Sequence, residues 1–127
     1  MAGRSAVVWI DISEARVFAI EGDGPSGPPQ HHHRHESGRV RDDREFFEAV
    51  LASLETADAW LLAGPDHTRH DLEKYLDGHA EALRGKLAGV EAMAEASPDA
   101  LKEATRRLAT WPLSARPAAP APAGRRP

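Results

Sequence analysis

The chain has 127 residues, 41% of them hydrophobic and 28% charged, with a formal net charge of -4 at pH 7. That length supports one domain with its own core and is too short for two. The acidic balance excludes a surface that is basic all round, though not a local basic patch, and the absence of cysteine excludes disulfides, thiolate metal sites and cysteine nucleophiles.

No apolar run approaches the roughly 18 residues needed to span a bilayer. The first residues, Met1 to Ser5, lack the apolar stretch of a secretory signal. The expectation is a cytoplasmic protein with a short extension at 1–5, a folded domain at 6–111 and a disordered tail at 112–127.

Ala6 to Ile10 is rich in β-branched and aromatic residues, the composition of a buried central strand. Asp11 to Ala15 supplies turn chemistry, and Arg16 to Glu21 forms a second strand, antiparallel to the first because the connection is short. Gly22 to Pro29 is a loop by composition. Gln30 to Glu36, with histidines at 31, 32, 33 and 35, is expected to be a third strand at the sheet edge. Alternation then turns His31, His33 and His35 to one side and His32 and Arg34 to the other. A polar linker, Ser37 to Arg41, leads to a helix capped by Asp42 or Asp43, with Phe46, Phe47, Val50, Leu51 and Leu54 on its apolar face.

The chain is organised around the stretch from Trp60 to Tyr75. Trp60 to Ala63 is an unbroken apolar run, as a strand buried on both faces requires. Gly64-Pro65 ends it. Thr68 then caps a helix in a variant capping box with Asp71, and Leu72, Tyr75, Leu76 and Leu83 follow at helical spacing, with Gly78 and Gly85 weakening its interior and end. Leu87 to Met93 is the last strand. Ser97-Pro98 opens a final helix, an N-cap serine before a first-turn proline, whose apolar face is Leu101, Ala104, Thr105 and Leu108, with Trp111 near its end and Pro112 stopping it.

The order β-β-β-α-β-α-β-α predicts a single α/β domain. An antiparallel meander leads, and two further strands join parallel through right-handed crossovers. The mixed five-stranded sheet has the order 3-2-1-4-5, with three helices over both faces, an architecture like that of ribonuclease H.

Val7-Val8-Trp9-Ile10-Asp11, Glu14-Ala15-Arg16-Val17-Phe18, the histidine segment, Ala63-Gly64-Pro65 and Gly89-Val90-Glu91 occur in an order that resembles the bacterial translational machinery proteins. These are similar to the middle domain of the archaeal and eukaryotic peptide-release factors, a family that includes Pelota. The resemblance covers about Ala6 to Leu108. It implies an association with the ribosome or with RNA. In release factors the loop after the third strand carries a Gly-Gly-Gln tripeptide that triggers peptide hydrolysis. Here the region reads His35 to Arg41, and no Gly-Gly-Gln is present in the chain. Release activity is therefore not implied.

Four sets of residues are candidates for function. Arg34, Arg39, Arg41 and Arg44, with His31, His33 and His35, suit phosphate and base contacts, since arginine pairs with phosphate and imidazoles stack on bases. Glu36, Asp42, Asp43 and Glu45 dilute that field, so a solvated surface is the alternative. The same three histidines could ligate zinc or nickel. Same-face neighbours in a strand stand about 7 Å apart, however, and a hydrated edge that resists strand pairing is the alternative. Gly64, His67, Thr68 and Arg69 at a helix start suit an anion, against a self-capped turn formed with Asp66 and Asp71. Asp11 sits where ribonuclease H-like nucleases keep a metal ligand, with Glu14, Glu21 and Asp66 as further carboxylates, against a plain hairpin turn.

The expectation is a non-enzymatic, translation-associated accessory protein. It binds ribosome or RNA through the His/Arg strand and loop, needs no cofactor and has no peptide-release activity. The alternatives are a protein-interaction module that uses its exposed edge strand, or a histidine-based metal-binding protein or hydrolase.

Overall fold

The structure, a computed structural model, describes residues 4–22, 24–34 and 40–109, with the backbone alone for 40–43. Its elements are β1 (Ser5–Ile10), β2 (Glu14–Glu21), β3 (Gly24–Pro25), β4 (Gln30–His33), α1 (Val40–Ala52), β5 (Ala59–Gly64), α2 (Thr68–Leu76), α3 (Glu81–Gly85), β6 (Leu87–Ala92) and α4 (Pro98–Ala109). They form one mixed sheet in the order β3-β2-β1-β5-β6, with β4 also paired to β2.

β1 lies between β2, its antiparallel partner (Val7↔Phe18), and β5, its parallel partner (Val7↔Leu61). β6 adds in parallel to β5, with an irregularity between Trp60 and Leu61. β4 adds antiparallel to β2 (Arg16↔His31, Glu14↔His33). The predicted meander and the two parallel additions are all present. The two-residue strand β3 (Ile20↔Pro25) is an addition the sequence did not foretell, since glycine and proline are poor strand formers.

Alternation divides the core in two. Val8, Ile10, Val17, Trp60 and Leu62 face the helices α1 and α2, meeting Phe46, Phe47, Val50, Leu51, Leu72 and Leu76. Val7, Trp9, Phe18, Leu61 and Ala63 face α4, meeting Leu101, Ala104 and Leu108. Fully burying one such large apolar side chain contributes about 1.5–3 kcal/mol. Each tryptophan of the sheet also finds a carbonyl for its indole: Trp9 Nε1 donates to Met93 O (3.0 Å) and Trp60 Nε1 to Leu83 O (2.8 Å).

Three local expectations are corrected. The helix predicted to run on from Thr68 is two helices, because Gly78 adopts φ +82°, a left-handed conformation that ends α2 rather than weakening it. Thr68 does not cap α2. The N-cap is His67, with no side-chain cap bond, and Thr68 is the first helical residue, buried. Finally, α1 begins at Val40, so Asp42 and Asp43 lie within the helix rather than ahead of it. By contrast Ser97 does cap α4, its Oγ accepting the Ala100 N–H (3.2 Å). At the start of the chain, Ser5 belongs to β1, and Arg4 is tied down by Asp58, whose Oδ2 accepts the Arg4 N–H (2.8 Å). Trp111 and the tail at 112–127 lie outside the described residues, as do 1–3. No described helix is long and apolar enough to cross a membrane.

Candidate functional site

β4 runs parallel to β1, so it delivers His33 and Arg34 to the end of the sheet where β1 and β5 also finish. In open α/β sheets, that carboxyl edge is where loops assemble sites. Three segments meet there: the β1–β2 turn, the end of β4 and the β5–α2 loop.

The turn is built by Asp11. Its Oδ1 accepts the Ser13 N–H (2.8 Å), the Ser13 hydroxyl (3.1 Å) and the Glu14 N–H (2.9 Å), and these local bonds make it a turn former. Arg34 closes on the same turn: its N–H donates to Ser13 O (2.9 Å) and its Nη1 to Ile12 O (3.3 Å). Ile12 itself is 57% exposed, an apolar tip on an otherwise polar edge.

Register then sorts the histidines. His31 and His33 lie opposite Arg16 and Glu14 on β2, and their rings lean together to 4.3 Å between centroids. His31 Nε2 pairs with Glu14 Oε1, and Arg16 Nε approaches the same oxygen (3.4 Å), while the Arg16 guanidinium lies 5.5 Å from the centroid of Trp9. His32 turns the other way, as alternation requires, and its Nε2 meets Ser53 Oγ at 2.8 Å. Ser53 in turn donates to Gln30 Oε1 (2.6 Å). Partial burial, then the neighbouring His31, hold the His32 imidazole below its ordinary pKa. This network crosses from the strand to the turn that follows α1. Sequence reading missed it because Ser53 is distant in the chain and carries no motif.

A histidine on a serine invites comparison with a nucleophilic pair, but the surroundings do not suit one. The Ser53 hydroxyl is committed to Gln30, and the adjacent Ser53 and Leu54 N–H groups are spent on Val50 and Leu51 carbonyls (3.1 and 3.0 Å). Neither N–H is left to stabilise an oxyanion. The arrangement is a structural tie.

At the β5–α2 loop, Asp66 Oδ1 accepts the Thr68 N–H (2.9 Å). Burial raises the Asp66 carboxyl, but the Thr68 N–H, the adjacent Thr68 hydroxyl, the Ile12 backbone and His67 together hold it below the usual carboxylate range. Arg69 Nη1 donates to the carbonyls of Gly64 (3.0 Å) and Asp66 (2.6 Å). The loop's predicted anion-binding groups, Gly64, His67, Thr68 and Arg69, are thus adjacent in space, with the Thr68 N–H and one Arg69 nitrogen engaged inside the chain.

Of the other predicted residues, Arg44 is exposed on α1. His35, Glu36 and Arg39 and the side chain of Arg41 lie outside the described residues. Among the described residues, no group of three or more histidine, aspartate or glutamate side chains is placed to hold a metal ion. Asp11, Glu14, Glu21 and Asp66 do not converge as a two-metal nuclease needs.

In fold, the chain resembles the release-factor-like proteins of translation. The solved structures it matches include Pelota from Archaeoglobus fulgidus (TM-score 0.66, 16% identity, 84% of this chain and 32% of that one). Pelota from Thermoplasma acidophilum matches at TM-score 0.63 with 17% identity, over 80% of this chain and 31% of that one. Dom34 from S. cerevisiae, a translation termination-like factor involved in RNA quality control pathways and interacting with Hbs1, matches at TM-score 0.58 with 12% identity, over 86% and 36%. The chain spans about a third of the length of these proteins. No protein-family model matches it, and no curated protein matches it in sequence.

Proposed function

We propose that this chain is a cytoplasmic, translation-associated accessory protein that contacts ribosomal or other RNA through its His/Arg strand and the loop that follows, and that it lacks peptide-release activity. The observation that carries the reading is the shared fold with Pelota and Dom34 over more than four-fifths of the chain. The sheet, a hairpin on one side of β1 and two parallel strands on the other, supports a ribonuclease H-type architecture for that fold.

Placement of the basic groups supports the RNA contact. His31, His33 and Arg34 stand at the free edge and carboxyl end of the sheet, and Arg44 follows on α1. Arg39, Arg41 and His35 belong to the segment between them. Arginine supplies phosphate pairing and paired imidazole rings supply stacking surfaces. The missing Gly-Gly-Gln supports a role without peptide release.

The test is co-sedimentation of untagged protein with ribosomes across a salt series, beside an Arg39→Glu/Arg41→Glu variant. Phosphate contacts predict binding that falls steeply with salt and is lost in the variant. Absence of binding at low salt, or equal binding by the variant, refutes the contact.

A further inference from the structure

A second surface lies at the other end of the molecule. α1 and α2 both run from the carboxyl edge of the sheet towards its opposite end, where α3 packs beside them. Between α1 and the α2–α3 segment they leave an open groove of about 390 Å³. Its floor is apolar, formed by Leu51, Ala80 and Leu83, and its rim carries Glu48 on α1, Glu55 in the turn after it, and Lys86. At one end Tyr75 and His79 stack at 4.3 Å with an interplanar angle of 11°.

We infer that this groove is a docking site for a basic segment of a protein partner, in which an apolar anchor is flanked by arginine or lysine. Glu48, on α1, and Glu55, in the turn that follows it, both line the groove, so both face one ligand. Each is exposed. Glu48 Oε2 accepts the Tyr75 hydroxyl (3.1 Å), which fixes that carboxylate at the rim, and Glu55 has no side-chain partner among the described residues. The last turn of α1 contains no basic residue, so the negative end of the helix adds to their field. Lys86 also lines the groove, its Nζ donating to Ala57 O (3.2 Å), and its charge offsets one of the two carboxylates, leaving the rim net acidic.

This field selects the class of ligand. A nucleic acid backbone is repelled by two carboxylates, whereas a guanidinium pairs with a carboxylate and also lies flat on an aromatic ring such as the His79–Tyr75 stack. The half-buried Leu83 and Ala80 and the buried Leu51 then take an apolar side chain, the usual centre of a peptide-binding groove. The site is independent of the RNA reading. It also lies at the opposite end of the sheet from His31, His33 and Arg34.

The probe is a fluorescein-labelled helical peptide with two leucines one turn apart between arginine pairs. Its binding to the full chain is followed by fluorescence anisotropy and by amide shifts in a ¹⁵N spectrum. Expected are shifts centred on Leu51, Ala80 and Leu83, and an affinity that falls about tenfold on Glu48→Lys/Glu55→Lys reversal. Ala82→Arg, an exposed substitution on the groove wall, should weaken binding comparably without affecting the thermal unfolding midpoint. Equal binding by a control peptide with serines for leucines overturns the inference. So do shifts located elsewhere, displacement by a short oligouridine, or no binding at about 1 mM peptide, the weak limit of specific recognition.

Discussion

The α-carbon of Gly64 stands against the carbonyl of Ile10: a Cβ built on Gly64 would meet the Ile10 oxygen at 2.1 Å and its carbon at 3.2 Å. Both residues are buried, and both end strands of the parallel pair at the heart of the sheet. Backbone cannot yield as a side-chain tip can. Gly64→Ala should therefore destabilise the fold by about 2 kcal/mol or more, through forced separation of β1 and β5. Urea denaturation measures it. A change below about 0.5 kcal/mol, the range of a neutral surface substitution, would contradict the stated role of the contact.

Gly64 also shows what the sequence can and cannot disclose. Its place at the end of an apolar run was legible, and so was the strand itself. The reason for glycine was not: the expected cause was a sharp turn, whereas the structure requires close approach to a residue 54 positions earlier. Long-range steric demands leave no local pattern. The same division holds elsewhere. Phe46, Phe47, Val50 and Leu51 announced the buried face of α1 because periodicity is written locally. Ser97-Pro98 announced α4 for the same reason. Gly78 was visible too, and following Asp77 it carried a turn signal, but the helical spacing of Leu76 and Leu83 masked it. At the candidate site, alternation correctly placed His32 opposite His31 and His33. Nothing local could show that Ser53 waits for His32, or that Asp11 and Arg34 close the same turn.

The partial burial of His32, with His31 beside it, makes stability depend on pH. The folded imidazole titrates below its unfolded value of 6.5, so the unfolded chain binds the proton more readily. The stabilisation from a neutral His32 is thus fully present above pH 6.5 and is lost as pH falls through the lower folded value. Thermal unfolding midpoints measured from about pH 7.5 to 5 should decline on the acidic side, in the range where histidine titrates. In His32→Gln the slope across that window should be shallower, since glutamine does not titrate. An identical slope in both proteins would show that His32 keeps an ordinary affinity for its proton.

Arg69 separates a structural from an anion-binding role for the β5–α2 loop. Its Nη1 holds the carbonyls of Gly64 and Asp66, and Gly64 O also receives the Met93 N–H (2.9 Å). Arg69→Met keeps the packing of the stem but removes the donors. Gly64 O retains Met93, while the Asp66 carbonyl loses its Arg69 donor. The expected cost is about 1.5–3 kcal/mol, the scale of one hydrogen bond from a charged group. The second arm compares phosphate with chloride at equal ionic strength in thermal unfolding. With the guanidinium held by backbone carbonyls, phosphate should stabilise wild type and variant equally. A phosphate-specific stabilisation of the wild type that disappears in Arg69→Met would instead assign the arginine to an anion.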